Sequence, residues 1–129
     1  MTQPLSVLVV EDDPDTLSAV GTVLRETDGV RVWVARTAEQ ALEVAGELDY
    51  AADVLVVDLD LGPGVTGDDF VAAYRQRAKS PFRVVLLSGS SHIYQSAAAL
   101  KAHAVLPKPW DADDLVSAVR YIDESQPRH

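Results

Sequence analysis

The sequence predicts an α/β domain, a five-stranded parallel sheet with five helices spread over both faces. Three observations predict it. Four short apolar runs stand out: LSVLVV from Leu5 to Val10, VLVV from Val54 to Val57, VVLL from Val84 to Leu87 and AVL from Ala104 to Leu106. A half-alternating fifth, VRVWVA, runs from Val30 to Ala35. All five are short and rich in Val and Leu, as strands buried on both faces are. Helical periodicity then fills each gap between them. Each parallel pair needs a crossover, so strands that alternate with helices imply helices on both faces.

The helices follow in order. Pro14 suits a first helical position with Asp13 as its cap, and Leu17, Val20 and Leu24 recur on one face before Gly29. Thr37 and Gln40 form a capping box that opens a helix through Ala41, Leu42, Val44, Ala45 and Leu48. A third helix runs from near Asp68 to Ala78 and buries Phe70, Val71 and Tyr74. A fourth, Ala-rich, covers roughly Ile93 to Ala102. The last starts after Pro109, is capped by Asp111, and sets Leu115, Val116, Val119 and Ile122 on one face.

The 129 residues read as one domain over 1–129, with a core of about 5–124 and a polar tail at 125–129. Apolar residues make up 47%, enough for a core of that size. Eleven Lys and Arg stand against 20 Asp and Glu, a net charge of −9. That acidity speaks against a nucleic-acid partner and against docking on an anionic membrane. With no Cys, disulfides and thiolate metal sites are excluded. The chain lacks a signal-peptide pattern and an apolar run of membrane-spanning length, so a cytoplasmic location is expected.

In open parallel sheets, sites form beyond the carboxyl ends of the strands. The first strand delivers Glu11, Asp12 and Asp13, with Asp15 close behind. The third delivers Asp58 and then Asp60, the fourth Ser88, and the fifth Lys108 before Pro109. Two carboxylates a few Å apart repel by about 4 kcal/mol at an effective dielectric near 20. Such groups must share a proton, shift their pKa values or bind a cation. Oxygen ligands without His or Cys suit Mg²⁺. An Asp beside that ion can attack phosphorus, with Lys108 and the Ser88 hydroxyl holding the phosphoryl oxygens.

VLVVEDDPD at 7–15, VLVVDLDL at 54–61, VVLLSGS at 84–90 and LPKPW at 106–110 together resemble the receiver domain of two-component response regulators, of the single-domain, chemotaxis-regulator-like kind. The resemblance covers about 5–124. It implies a flavodoxin-like sheet of order 2-1-3-4-5. It also implies that Glu11 and Asp12 are the acidic pair, with Asp12 the direct Mg²⁺ ligand, and that Asp58 is the phosphoacceptor. The main-chain carbonyl of Asp60 would be a further ligand, Ser88 the hydroxyl that closes on the phosphoryl group, and Lys108 its cationic contact, before a cis bond to Pro109. Three departures stand out. The loop LDLGPGVTG is about one residue longer than usual. Val105 stands where many receivers carry a rotating Tyr or Phe. His103 stands where Gly is common, and His tolerates the left-handed backbone of a helix cap there better than most non-Gly residues.

Taken singly, these residues have ordinary readings. Glu11, Asp12 and Asp13 suit a solvated helix N-terminus, Ser88 a turn, and Lys108 a strand exit. Their order on successive strand ends is what points to a site. His92, His103 and His129 read as surface residues, and none as a phosphodonor. Trp33 reads as core or half-buried sheet, and Trp110, Tyr94 and Tyr121 as packing residues.

The expected function is a stand-alone receiver. It takes a phosphoryl group on Asp58 from a sensor histidine kinase or phosphotransfer protein with Mg²⁺, hydrolyses it slowly, and is not a turnover enzyme. Signalling would pass through the last two helices to a downstream protein, as a monomer or a phosphorylation-dependent dimer. Two alternatives stay open: a haloacid-dehalogenase-like phosphatase built on Asp58-Leu59-Asp60-Leu61, and a phosphorylation-independent interaction module.

Overall fold

The computed structural model describes residues 4–61, 64–89, 98 and 101–125. Its elements are β1 (Leu5–Val10), α1 (Pro14–Arg25), β2 (Val30–Ala35), α2 (Ala38–Glu47), β3 (Val54–Asp58), α3 (Gly67–Arg77), β4 (Arg83–Ser88), β5 (Ala104–Pro107) and α4 (Ala112–Ser125). The strands form one parallel sheet in the order β2-β1-β3-β4-β5.

Alternate residues of each inner strand serve opposite faces, and both faces are apolar. Leu8, Val10, Leu55, Val57, Val84 and Leu86 pack under α2 and α3, against Ala41, Ala45, Phe70 and Tyr74. Val7, Val9, Val54, Val56, Val85 and Leu87 pack under α1 and α4, against Leu17, Val20, Leu24, Leu115 and Val119. Two-sided burial explains why these runs are continuous rather than alternating. Trp33, on edge strand β2, is half-buried, with the Arg31 guanidinium 5.6 Å from its ring centroid.

The helix starts follow the capping chemistry read from the sequence. Asp13 accepts from Thr16 N–H, Thr37 from Gln40 N–H and Asp111 from Asp114 N–H. Gln40 reaches back to Arg36 N–H at 2.7 Å, one residue before the cap itself. Helix α3 begins one residue before Asp68, because Thr66 provides its cap through Asp69 N–H.

Four helices are found among the described residues, where five were expected. The expected helix from Ile93 to Ala102 lies outside the described residues except at Ala98, Lys101 and Ala102. Its end needs correction: Lys101 has a left-handed φ of 57° and donates its N–H to Ala98 O, so the last two positions are not helical. The left-handed residue is therefore Lys101 and not His103. His103 instead opens the β4–β5 ladder, donating its N–H to Val84 O at 2.8 Å. Gly62, Pro63, Tyr94, His92, the Tyr121 and Ile122 side chains and residues 126–129 also lie outside the description.

Tyr74 joins α3 to the start of β3. Its hydroxyl accepts from Ala52 N–H at 2.9 Å and donates to Ala52 O at 3.3 Å. Burial pushes that phenol up to about 12. At the other end of β3, Gly67 seats α3 against the sheet. A Cβ there would lie 2.8 Å from the Asp58 carbonyl oxygen and 3.0 Å from Val57 Cγ1. Gly67→Ala is therefore expected to destabilise the protein by about 2 kcal/mol, read from the urea midpoint, because backbone must move to admit the methyl.

His103 Nδ1 accepts from Val84 N–H at 3.3 Å, which requires a bare nitrogen. Burial, then the Arg83 and Arg75 charges, hold its pKa below the ordinary 6.5. Below that ordinary value the unfolded chain binds the proton first, so stability falls as pH drops from 6.5 toward the folded pKa. Urea midpoints measured from about pH 7.5 down to about 5 should show that slope flattened in His103→Asn.

Candidate functional site

The carboxyl ends of β1, β3, β4 and β5 meet at one rim of the sheet. Glu11 follows β1 directly and is held by its N–H to Ala35 O at 3.1 Å. Its side chain is fully buried. Oε2 accepts from Asp13 N–H at 3.2 Å, while Oε1 has no hydrogen-bond partner among the described residues. Asp12 is half-buried beside it. Asp58 is the last residue of β3 and is 1% exposed. One oxygen from each of Glu11, Asp12 and Asp58 lies within 4.8 Å of the others.

Among the described residues, one cation faces this group, from just past β5. Lys108 Nζ is 3.2 Å from Asp58 Oδ2 and 3.4 Å from Glu11 Oε1. Burial works against the Lys108 charge, but Asp58 and then Glu11 outweigh it and hold the ammonium above its ordinary range. Glu11 goes the other way for an acid. Burial, a hydrogen bond shared with Asp58 and the Asp58 charge push it up to about 8, against the Asp13 N–H and Lys108. Near neutral pH Glu11 therefore keeps its proton, buried beside Asp58 and the Lys108 ammonium.

Ser88 ends β4 and is 1% exposed. Its hydroxyl donates to the Asp60 carboxylate, 3.2 Å from each oxygen. Gly89 N–H donates to Asp60 Oδ2 at 2.8 Å, and Asp60 N–H donates to Asp58 Oδ1 at 2.8 Å. The six residues that the resemblance assigns to the site (Glu11, Asp12, Asp58, Asp60, Ser88 and Lys108) therefore come together. The hold of the Asp60 carboxylate on Ser88 and Gly89 is the feature the sequence reading missed: the receiver resemblance used only its main-chain carbonyl, and the carboxylate entered only as the second acid of the phosphatase alternative. The D-x-D spacing places a second carboxylate there, but nothing in it says which way that carboxylate turns. The Lys108–Pro109 bond is cis, and Val105 is half-buried against the α2–α3 core.

The donor set is all oxygen, three carboxylates converge, and one buried carboxylate oxygen lacks a hydrogen bond. That combination fits a small hard cation such as Mg²⁺. An open cleft of about 450 Å³ lies beside Lys108, lined by Asp15, Thr16, Ala19, Pro109 and Trp110.

The sequence pattern of the response regulator receiver domain matches residues 7–120. The chain belongs to this family. Phosphorylation and Mg²⁺ binding are typical of its receivers. This receiver is 34% identical over 116 residues to the transcriptional regulatory protein CpxR of Escherichia coli K12, covering 90% of this chain and 48% of that protein. It is 30% identical over 118 residues to the sensory transduction protein RegX3 of Mycobacterium bovis, covering 91% of this chain and 50% of that one. The chain thus spans about half the length of these curated relatives. Among solved structures, the Vibrio cholerae chemotaxis protein CheY4 superposes with a TM-score of 0.79 at 26% identity, covering 94% of this chain and 99% of that one. A receiver domain of a Pseudomonas fluorescens HD-domain protein superposes at 0.81 with 25% identity, covering 95% and 96%. No helix among the described residues is long and apolar enough to cross a membrane.

Lys108 compensates two buried acids, so its removal should cost more than a surface ion pair would. In metal-free buffer, Lys108→Met is expected to lower stability by about 2 kcal/mol, while Asp58→Asn, which relieves repulsion, raises it by about 1 kcal/mol. Denaturant titration of the three proteins side by side checks both signs.

Proposed function

We propose that this receiver accepts a phosphoryl group on Asp58 from a sensor histidine kinase or phosphotransfer protein in the cytoplasm. The observation that carries the reading is the Asp58 carboxylate itself, buried at a strand end with Lys108 Nζ at 3.2 Å and two further acids within 4.8 Å. Glu11, Asp12, Asp58 and the main-chain carbonyl of Asp60 would hold Mg²⁺, which neutralises charge on the incoming group.

In the transfer, an Asp58 carboxylate oxygen attacks phosphorus. The P–N bond of a phosphohistidine breaks as the P–O bond forms, and the imidazole nitrogen leaves with the electron pair. Lys108 holds the transferred oxygens by charge, and the Ser88 hydroxyl donates to one of them. The cleft bordered by Trp110 and α1 gives a donor a path to Lys108. The phosphorylated form then differs in the loops after β3 and β4, and the change reaches a downstream protein through the segment between β4 and β5 and through α4. With Val105 at the usual aromatic position, that change runs without a rotating ring.

A turnover phosphatase would need Asp60 as a general acid, and its carboxylate is engaged by Ser88 and Gly89 instead. A phosphorylation-independent module would keep signalling in cells after Asp58→Asn. Incubation with Mg²⁺ and acetyl phosphate should give one phosphoryl adduct by intact mass, stable in acid and labile in base. It should vanish in Asp58→Asn and after chelation of the metal. A wild-type mass unchanged with acetyl phosphate, phosphoramidate and phosphohistidine donors alike would overturn the reading.

A further inference from the structure

The end of β4 offers two donors side by side, the Ser88 hydroxyl and the Gly89 N–H. Both are aimed at one acceptor, the Asp60 carboxylate, at 3.2 Å and 2.8 Å. Asp60 is tied in turn to the acceptor strand, because its own N–H donates to Asp58 Oδ1 at 2.8 Å. The register sets Asp58 beside Leu87, the residue before Ser88, so the acids and the donors share one gap between β3 and β4. A carboxylate and a phosphoryl group present the same face to such donors, charged oxygens that only accept.

We infer that the Asp60 carboxylate is an internal stand-in for the phosphoryl group, a positioning residue that occupies Ser88 and Gly89 in the resting protein and must release them when Asp58 is phosphorylated. This rests on the Asp58 reading above. Two consequences follow from chemistry alone. The phosphoryl group competes for Ser88 and Gly89 with a ligand that is already present, so the phosphorylated state is populated less than it would be otherwise. Asp60 and a phosphorylated Asp58 are also like charges, so donor release and phosphorylation reinforce each other, which sharpens the change between two arrangements. Asp60 is exposed to solvent on its other side, which keeps the hold weak enough to reverse.

Beryllofluoride, formed from beryllium chloride and fluoride with Mg²⁺, serves as the probe because it imitates an acyl phosphate on a carboxylate. Its affinity is read from tryptophan fluorescence, with Trp110 lining the cleft beside Lys108. Asp60→Ala is expected to bind it about tenfold more tightly than wild type, and Asp60→Asn to fall between them. In a Ser88→Ala background the gain from Asp60→Ala should shrink to about threefold or less, because one of the competing donors is gone. Without any ligand, the Gly89 amide should exchange its hydrogen about tenfold faster in Asp60→Ala.

Affinity unchanged within about twofold, or weakened, in both Asp60 variants would overturn the inference. A gain that persists in full in the Ser88→Ala background would also overturn it, since the effect would then be charge repulsion alone. If no protein in the series binds beryllofluoride, the Asp58 reading falls and the competition with it. Gly89 exchange then still decides separately whether the resting hold exists.

Discussion

The ammonium of Lys108 is the constraint around which the rest of this molecule is arranged. Two carboxyls, Glu11 and Asp58, are withdrawn from water at the ends of neighbouring strands. At such separations a like-charge pair costs about 4 kcal/mol at an effective dielectric near 20. A proton on Glu11 and one ammonium, 3.2 Å from Asp58 and 3.4 Å from Glu11, hold that cost down. Lys108 can do this only because β5 lies next to β4 and its N–H is fixed to Ser88 O at 2.9 Å. A divalent ion would take over the proton's task, and the chain would then tolerate further negative charge at the same rim.

Packing delivers these groups with little local freedom. Each inner strand packs into a close-fitting apolar core on both faces, so a slip in register would misfit Val and Leu on both sides at once. The side chains just past each strand end inherit that precision. Gly67 extends it by letting the start of α3 rest on the Asp58 carbonyl. Many of the acids that give the chain its charge of −9 turn out to sit at helix starts: Asp13 and Asp111 as caps, and Asp15, Asp68, Asp69, Asp113 and Asp114 in first turns. Only a few of them make the rim.

The sheet and most of the rim were legible because they follow from short-range rules. Apolar runs, caps and the residue just past each strand depend on neighbours in sequence, and the two-sided winding follows from alternation. What stayed hidden depends on contacts between distant segments. The Asp60 carboxylate turns to Ser88 and Gly89 because their donors lie across a gap that no local pattern describes. The left-handed turn, which the sequence allowed at His103, falls at Lys101 for a similar reason. His103 is held by its N–H to Val84 O at the mouth of the β4–β5 ladder, and the reversal falls on the residue two before it.

Strand β2 ends the sheet on one side, and its sequence is more apolar than an exposed margin ordinarily tolerates. Val32, Trp33 and Val34 are only half-buried there. A row of unpaired amides beside such residues is a template on which a second chain can build. Arg31 stands in the same strand, exposed, with its guanidinium over the Trp33 ring. A hydrated charge in that position covers the largest greasy surface of the margin and penalises any strand laid alongside it. The cation–π contact is therefore also a guard against aggregation, and it helps keep the sheet at five strands.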